Sequence, residues 1–180
     1  MLGRERAEAL VRMAMEEAAA ALARGDDPYG GVIADREGRV LVRDGNRENT
    51  EQNPCAHAEM VLIREACAKL GRNDLTGYLL VCNYRPCPMC AAAMVQAGIR
   101  EFYIGSAAPD FPALLVKTAE SYAEMGILVE GGILDEACAA QVRAGRAQRG
   151  KERETGMAQR RGAGEPRRAG AQAEAPADGE

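Results

Sequence analysis

The chain has 180 residues, 47% of them hydrophobic and 28% charged, with 23 basic and 27 acidic side chains for a net charge of −4. That length supports one domain with a core large enough to stand without disulfide staples. Six cysteines make no secreted disulfide framework, no run is apolar enough to span a bilayer, and the charged, alanine-rich start lacks a signal peptide's apolar core, so a soluble, cytoplasmic protein is expected.

Arg4 to Arg24 reads as an amphipathic helix, with Ala7, Leu10, Val11, Ala14, Ala18, Ala21 and Leu22 at helical spacing. Gly25-Asp26-Asp27-Pro28 stops it. Gly31–Asp35 and Arg39–Arg43 read as two strands of a hairpin around Arg36-Glu37-Gly38. After a loop from Asp44 to Pro54, Ala56–Leu70 reads as a helix ended by Gly71. Tyr78–Cys82 is a continuous apolar strand, a pattern that predicts burial on both faces. Pro88–Ala97 is a short helix, Glu101–Gly105 a strand, Ala113–Met125 a helix, Ile127–Glu130 a strand and Leu134–Val142 a last helix. The order αββαβαβαβα predicts an α/β fold, a three-layer α/β/α sandwich on a mixed five-stranded sheet.

Composition changes near Arg143. Residues 146–180 carry eight Lys/Arg and six Asp/Glu, and Met157 is the exception among otherwise small or polar residues. Such a segment cannot bury enough surface to offset its ordering entropy. The expected organisation is a folded domain over residues 1–145 and a disordered tail over 146–180. Subtracting the tail from the totals leaves 15 basic and 21 acidic residues in the domain, a net charge of −6. An acidic domain is a poor start for binding a phosphate backbone.

The chain has one histidine, in His57-Ala58-Glu59, and downstream runs Pro86-Cys87-Pro88-Met89-Cys90. A lone C-x-x-C is shared by redox motifs, structural zinc sites and chance. The combination H-x-E followed by P-C-x-x-C is the signature of the zinc deaminases. His57, Cys87 and Cys90 supply three ligands, which leaves a fourth position for water, the pattern of a catalytic site. Thiolate and imidazole donors suit zinc over magnesium or calcium. Glu59 is the carboxylate that handles protons. Both halves fall at helix starts, where the partial positive charge favours thiolates. Cys55 reads as a small packing thiol.

On these residues the chain resembles the cytidine and deoxycytidylate deaminase superfamily, in the branch with tRNA adenosine deaminases, guanine deaminases and cytosine deaminases. The likeness covers about Asp27 to Arg143 and includes Pro28-Tyr29-Gly30-Gly31-Val32-Ile33, Gly45-Asn46-Arg47 and Asn53-Pro54-Cys55-Ala56-His57-Ala58-Glu59. It implies a cytidine deaminase-like fold, one zinc per chain on His57, Cys87 and Cys90, a proton shuttle at Glu59, Asn46 as a contact to the substrate base, and a homodimer. Ala58 is assigned with them to the substrate side. Two departures stand out. Arg85 replaces the Glu or Ser usual before Pro-Cys, and Gly105-Ser106-Ala107-Ala108-Pro109-Asp110-Phe111-Pro112 matches neither the tRNA-editing nor the guanine deaminase loop.

Tyr29 and Phe111 are the expected stacking residues at the mouth of the site, with Asp110 and Phe111 tuning substrate choice. The reading placed first is hydrolytic deamination of a free nucleobase, a nucleoside or a related amino-heterocycle, with nucleic acid not expected as a partner. The alternative is tRNA adenosine deamination. A third is a zinc-stabilised module without turnover, which has no use for Glu59.

Overall fold

The computed structural model describes residues 1–106 and 126–162. Residues Met1–Arg149 form the compact unit that contains the site. Its elements are helix α1 (Arg4–Ala23), strands β1 (Gly30–Asp35) and β2 (Val40–Gly45), helix α2 (Ala58–Leu70), strand β3 (Tyr78–Tyr84), helix α3 (Pro88–Gln96), strands β4 (Glu101–Ser106) and β5 (Leu128–Glu130), and helix α4, which starts at Asp135. The expected helix Ala113–Met125 lies outside the described residues, as do Asp110, Phe111 and the chain beyond 162.

The five strands form one sheet in the order β2-β1-β3-β4-β5. β1 pairs antiparallel with both β2 and β3, while β3–β4 and β4–β5 are parallel. The sheet is therefore mixed, as its mixture of hairpin and helical connections requires. β3 lies at its centre and is buried from Leu79 to Tyr84.

Alternation along the strands divides the core into two layers. Ile33, Leu80, Cys82 and Phe102 face one side, where Leu62 and Ala66 of α2 and Ala91 and Met94 of α3 cover them. Val32, Ala34, Leu79, Val81 and Tyr103 face the other, beneath Ala7, Leu10, Val11 and Ala14 of α1 and Cys138 of α4. Each fully buried aliphatic or aromatic side chain contributes about 1.5–3 kcal/mol of apolar transfer. Alanines line the buried face of α1 and let it lie close to the sheet. At Gly30 an added Cβ would collide with the backbone of α1 at Ala14 and Ala18.

Element boundaries agree with the sequence reading to within about two residues, with one large exception. The last helix, expected to stop at Val142, runs from Asp135 to Gly162, across the 145/146 boundary set by composition. Residues 146–162, read from composition as part of a disordered tail, are helical. Twelve of these 17 residues are Ala, Arg, Lys, Glu or Gln, good helix formers that outweigh Gly150, Gly156 and Gly162. Low hydrophobicity argued against a core there but not against a helix. No described helix is long and apolar enough to cross a membrane.

Candidate metal centre and substrate pocket

Two helix starts converge at one end of the sheet. His57 is the N-cap of α2 and Cys87 the N-cap of α3, both with extended backbone. Pro88 opens α3, where its missing N–H loses no helical bond. One turn on, Cys90 is fully buried.

The three donor atoms form a tight triangle. Cys87 Sγ lies 3.6 Å and Cys90 Sγ 3.5 Å from His57 Nδ1, and the two sulfurs are 3.5 Å apart. Tetrahedral bonds of about 2.3 Å to sulfur and about 2.0–2.1 Å to nitrogen separate such donors by about 3.6–3.8 Å. The triangle is thus close to one face of a zinc tetrahedron. Among the described residues, this is the group of histidine, cysteine and carboxylate side chains that can hold a metal. The donor set and its spacing fit zinc.

Charge at the triangle is already arranged for a cation. The Cys87 thiol is pulled down to about 4, chiefly by a hydrogen bond from Cys90, with His57 adding to it. Cys90 is pushed up by the neighbouring Cys87 and by burial. His57 is raised to about 9, chiefly by its hydrogen bond to Cys87. Left to protons alone, the trio holds a thiolate against an imidazolium. A metal ion bound here would take the place of the protons on Cys90 and His57.

Glu59 follows in the first turn of α2 and is only 7% exposed. Burial raises its pKa above the ordinary carboxylate value. Behind it, the Cys82 thiol donates to Glu59 Oε1 at 3.9 Å. A carboxyl group whose protonated form is favoured in this way is suited both to take and to return a proton.

A cavity of about 240 Å³ opens in front of the triangle. Its floor is His57, Ala58, Glu59 and Cys87, and its walls include Asn46, Glu48, Tyr29 and Tyr84. Arg85 and Arg146 stand among the lining residues, with Asp27. The structure thus brings Tyr29, Asn46, Ala58 and Glu59 to one pocket beside the three donors. Other wall residues are not placed at the site by the sequence reading: Tyr84, one of several aromatic residues available for stacking, and Asp27, Glu48 and Arg146. Tyr84 ends β3 just before the metal loop, and its ring centroid is 5.9 Å from that of Tyr29. Glu48 lies two residues past Asn46. Arg146 comes from α4, donates to the Tyr29 hydroxyl at 2.6 Å, and sits over both tyrosine rings at 5.4 and 5.6 Å. Position beside a recognised motif could have flagged Tyr84 and Glu48. Arg146 had no such signal. Cys55, read as a packing thiol, is exposed. It sits in a turn, and its N–H donates to Asn53 Oδ1 at 3.0 Å.

Asn83, buried in β3, ties the pocket wall together. Its Oδ1 accepts from Gly30 N–H at 3.0 Å, and its Nδ2 donates to Pro28 O at 3.1 Å and Gln141 Oε1 at 3.2 Å. Tyr29 is thereby held between two anchored neighbours. Asn83→Ala should destabilise the fold by about 1–3 kcal/mol for each buried partner left unpaired. Chemical denaturation measures this, and an unchanged midpoint would mean the network adds nothing to stability.

A family model for the cytidine and deoxycytidylate deaminase zinc-binding region matches residues 4–106. The chain belongs to this deaminase family. A tRNA-specific adenosine deaminase from Bacillus subtilis is 34% identical over 134 residues, covering 73% of this chain and 83% of that protein. A tRNA-specific adenosine deaminase from Agrobacterium fabrum is 41% identical over 99 residues, or 55% of this chain and 64% of the Agrobacterium protein's length. A solved tRNA:A34 deaminase, from work on A-to-I editing at the wobble position, aligns with a TM-score of 0.67 at 34% identity, covering 73% of this chain and 97% of that one. The cytidine deaminase-like fold expected from the sequence is the fold observed. The relatives support the tRNA alternative better than the free-nucleobase reading placed first. Net charge does not weigh against the tRNA reading, because it is a sum over the whole surface. Many carboxylates of this chain, such as Glu16, Glu17, Glu37 and Glu51, are paired with arginines elsewhere, while at the pocket itself Arg85 and Arg146 stand with Asp27, Glu48 and Glu59.

Proposed function

We propose that this chain is a zinc-dependent hydrolytic deaminase that converts adenosine in tRNA to inosine. The observation that carries the substrate is the relationship to the Bacillus tRNA-specific adenosine deaminase, which spans 83% of that protein. The pocket supports it. A cavity of about 240 Å³ accommodates a nucleobase rather than a nucleic-acid segment, so the reacting base must leave its stack to enter. Tyr29 and Tyr84 offer aromatic faces for an unstacked base. Arg85 and Arg146 put positive charge beside the mouth, where the flanking phosphates of an RNA loop would lie.

His57, Cys87 and Cys90 would hold the zinc. When bound, the ion supplies a Lewis acid that lowers the pKa of water to about 7. Glu59 accepts the proton released by the attacking water and passes it to the ring nitrogen. It then takes the remaining proton from the hydroxyl added to the ring carbon and delivers it to the amino group, which departs as ammonia as the carbonyl forms. The net exchange consumes water and the exocyclic amine and yields a ring carbonyl and ammonia. Asn46 reads the edge of the base, since an amide both donates and accepts. Assembly as a homodimer belongs to the same reading.

The test supplies the zinc-loaded chain with an anticodon stem-loop carrying adenosine and, in parallel, with free adenine, guanine, cytosine and their nucleosides. Inosine in the RNA is the expected result. Ammonia from a free base with no inosine in the RNA would return the assignment to small-molecule deamination.

A further inference from the structure

Glu48 stands between the metal triangle and the base-reading side chain. Its Oε1 lies 3.6 Å from His57 Nε2. Its Oε2 accepts a hydrogen bond from Asn46 Nδ2 at 2.7 Å, and its own N–H donates to Asn46 Oδ1 at 3.1 Å. Asn46 is 1% exposed and is anchored in turn: its N–H donates to Tyr29 O at 2.8 Å, and its carbonyl accepts from Arg24 at 3.2 Å. The Glu48 carboxylate is therefore held from behind by a fixed amide, with its other oxygen toward the histidine ring.

His57 directs Nδ1 at the two sulfurs. That leaves Nε2 as the nitrogen that carries the proton when the ring is a neutral ligand. A metal-binding histidine gives its second nitrogen to a carboxylate, carbonyl or water, which fixes tautomer and ring angle. We propose that Glu48 is the positioning residue for His57, and that Asn46 holds Glu48 in place for this task. At 3.6 Å the contact is electrostatic rather than a direct hydrogen bond. It nonetheless favours the tautomer with the proton on Nε2 and the lone pair on Nδ1. Asn46 then serves two sites at once. Glu48 takes one amide hydrogen and one oxygen lone pair, and the remaining hydrogen and lone pair are left for a base. The proposal rests on the zinc site of the proposed function but not on the choice of substrate.

Zinc affinity of the full chain, measured by competition with a chromophoric chelator, tests it in wild type, Glu48→Ala, Glu48→Gln and Asn46→Ala. Glu48→Ala should bind zinc about 10–100-fold more weakly. Glu48→Gln, which keeps the volume but not the charge, should show a smaller loss. Asn46→Ala should also weaken zinc binding, although Asn46 is not a ligand, because Glu48 loses its tether. A role of Asn46 confined to the substrate would leave zinc affinity unmoved. Wild-type zinc affinity in Glu48→Ala, with only kcat/KM reduced, would make Glu48 a substrate contact and overturn the proposal. If Glu48→Ala does not fold, wild-type affinity in Glu48→Gln overturns it equally. A negative result with the RNA stem-loop would leave these zinc measurements unaffected.

Discussion

Replacing Glu59 with glutamine is expected to leave the zinc content at one per chain and to lower turnover by at least about 10²–10⁴-fold. The amide has nearly the same shape and fits the same buried space, so the helix start that carries His57 is undisturbed. It cannot take a proton from water or return one to the departing amine. Glu59 lies in a setting that raises its pKa by burial, and the Cys82 thiol donates to its Oε1 at 3.9 Å. Both features suit a group that alternates between protonated and ionised forms. Substrate binding should fall less than turnover, because the amide still hydrogen-bonds the ring. Metal analysis and single-turnover inosine formation on the same preparation separate the two effects. Loss of zinc would make Glu59 a ligand. Full turnover with zinc retained would transfer the proton shuttle to another residue.

Cys87→Ala should lose most of the metal and with it the activity. Two donors would remain, and the one removed is the sulfur already held as a thiolate by its drop to about 4. In wild type the sign of the pH effect follows from the other two groups. Cys90 and His57 both hold protons more tightly than usual, so zinc uptake at neutral pH should release protons into weakly buffered solution. As pH falls, protons compete better and apparent zinc affinity falls with them. Undiminished zinc in Cys87→Ala would sink the ligand assignment.

The metal triangle was legible in the sequence because its chemistry depends on residue type at fixed spacing. His57, Cys87 and Cys90 each sit at or just inside a helix start, and helix starts leave local signals such as Pro88. The sheet was legible for a similar reason: β3 is an unbroken apolar run, and the Arg36-Glu37-Gly38 turn announces the β1–β2 hairpin. What stayed hidden depends on distant segments meeting. Nothing local to Arg146 says that it lies across the rings of Tyr29 and Tyr84. A charged, alanine-rich stretch is compatible with both disorder and a long helix, and only packing decides between them. Glu48 carries no motif of its own, and only the folded chain shows its Oε1 3.6 Å from His57 Nε2. The relatives favour the tRNA alternative over the reading placed first, and summed charge could not weigh the two because it carries no information about where on a surface the cations stand.

The two halves of the pocket close over very different lengths of chain. The metal triangle joins residues 30 and 33 positions apart. The contact that completes the rim, Arg146 to Tyr29, joins residues 117 apart. Each doubling of a loop adds about 0.6 kcal/mol of closure entropy, so the rim is harder to close than the triangle by about 1.2 kcal/mol before any packing is counted. In chain order all three donors are in place by Cys90, well before helix α4 begins at Asp135. The metal triangle and the pocket rim are thus completed by different stretches of the chain, and the triangle needs no residue of helix α4 among its donors.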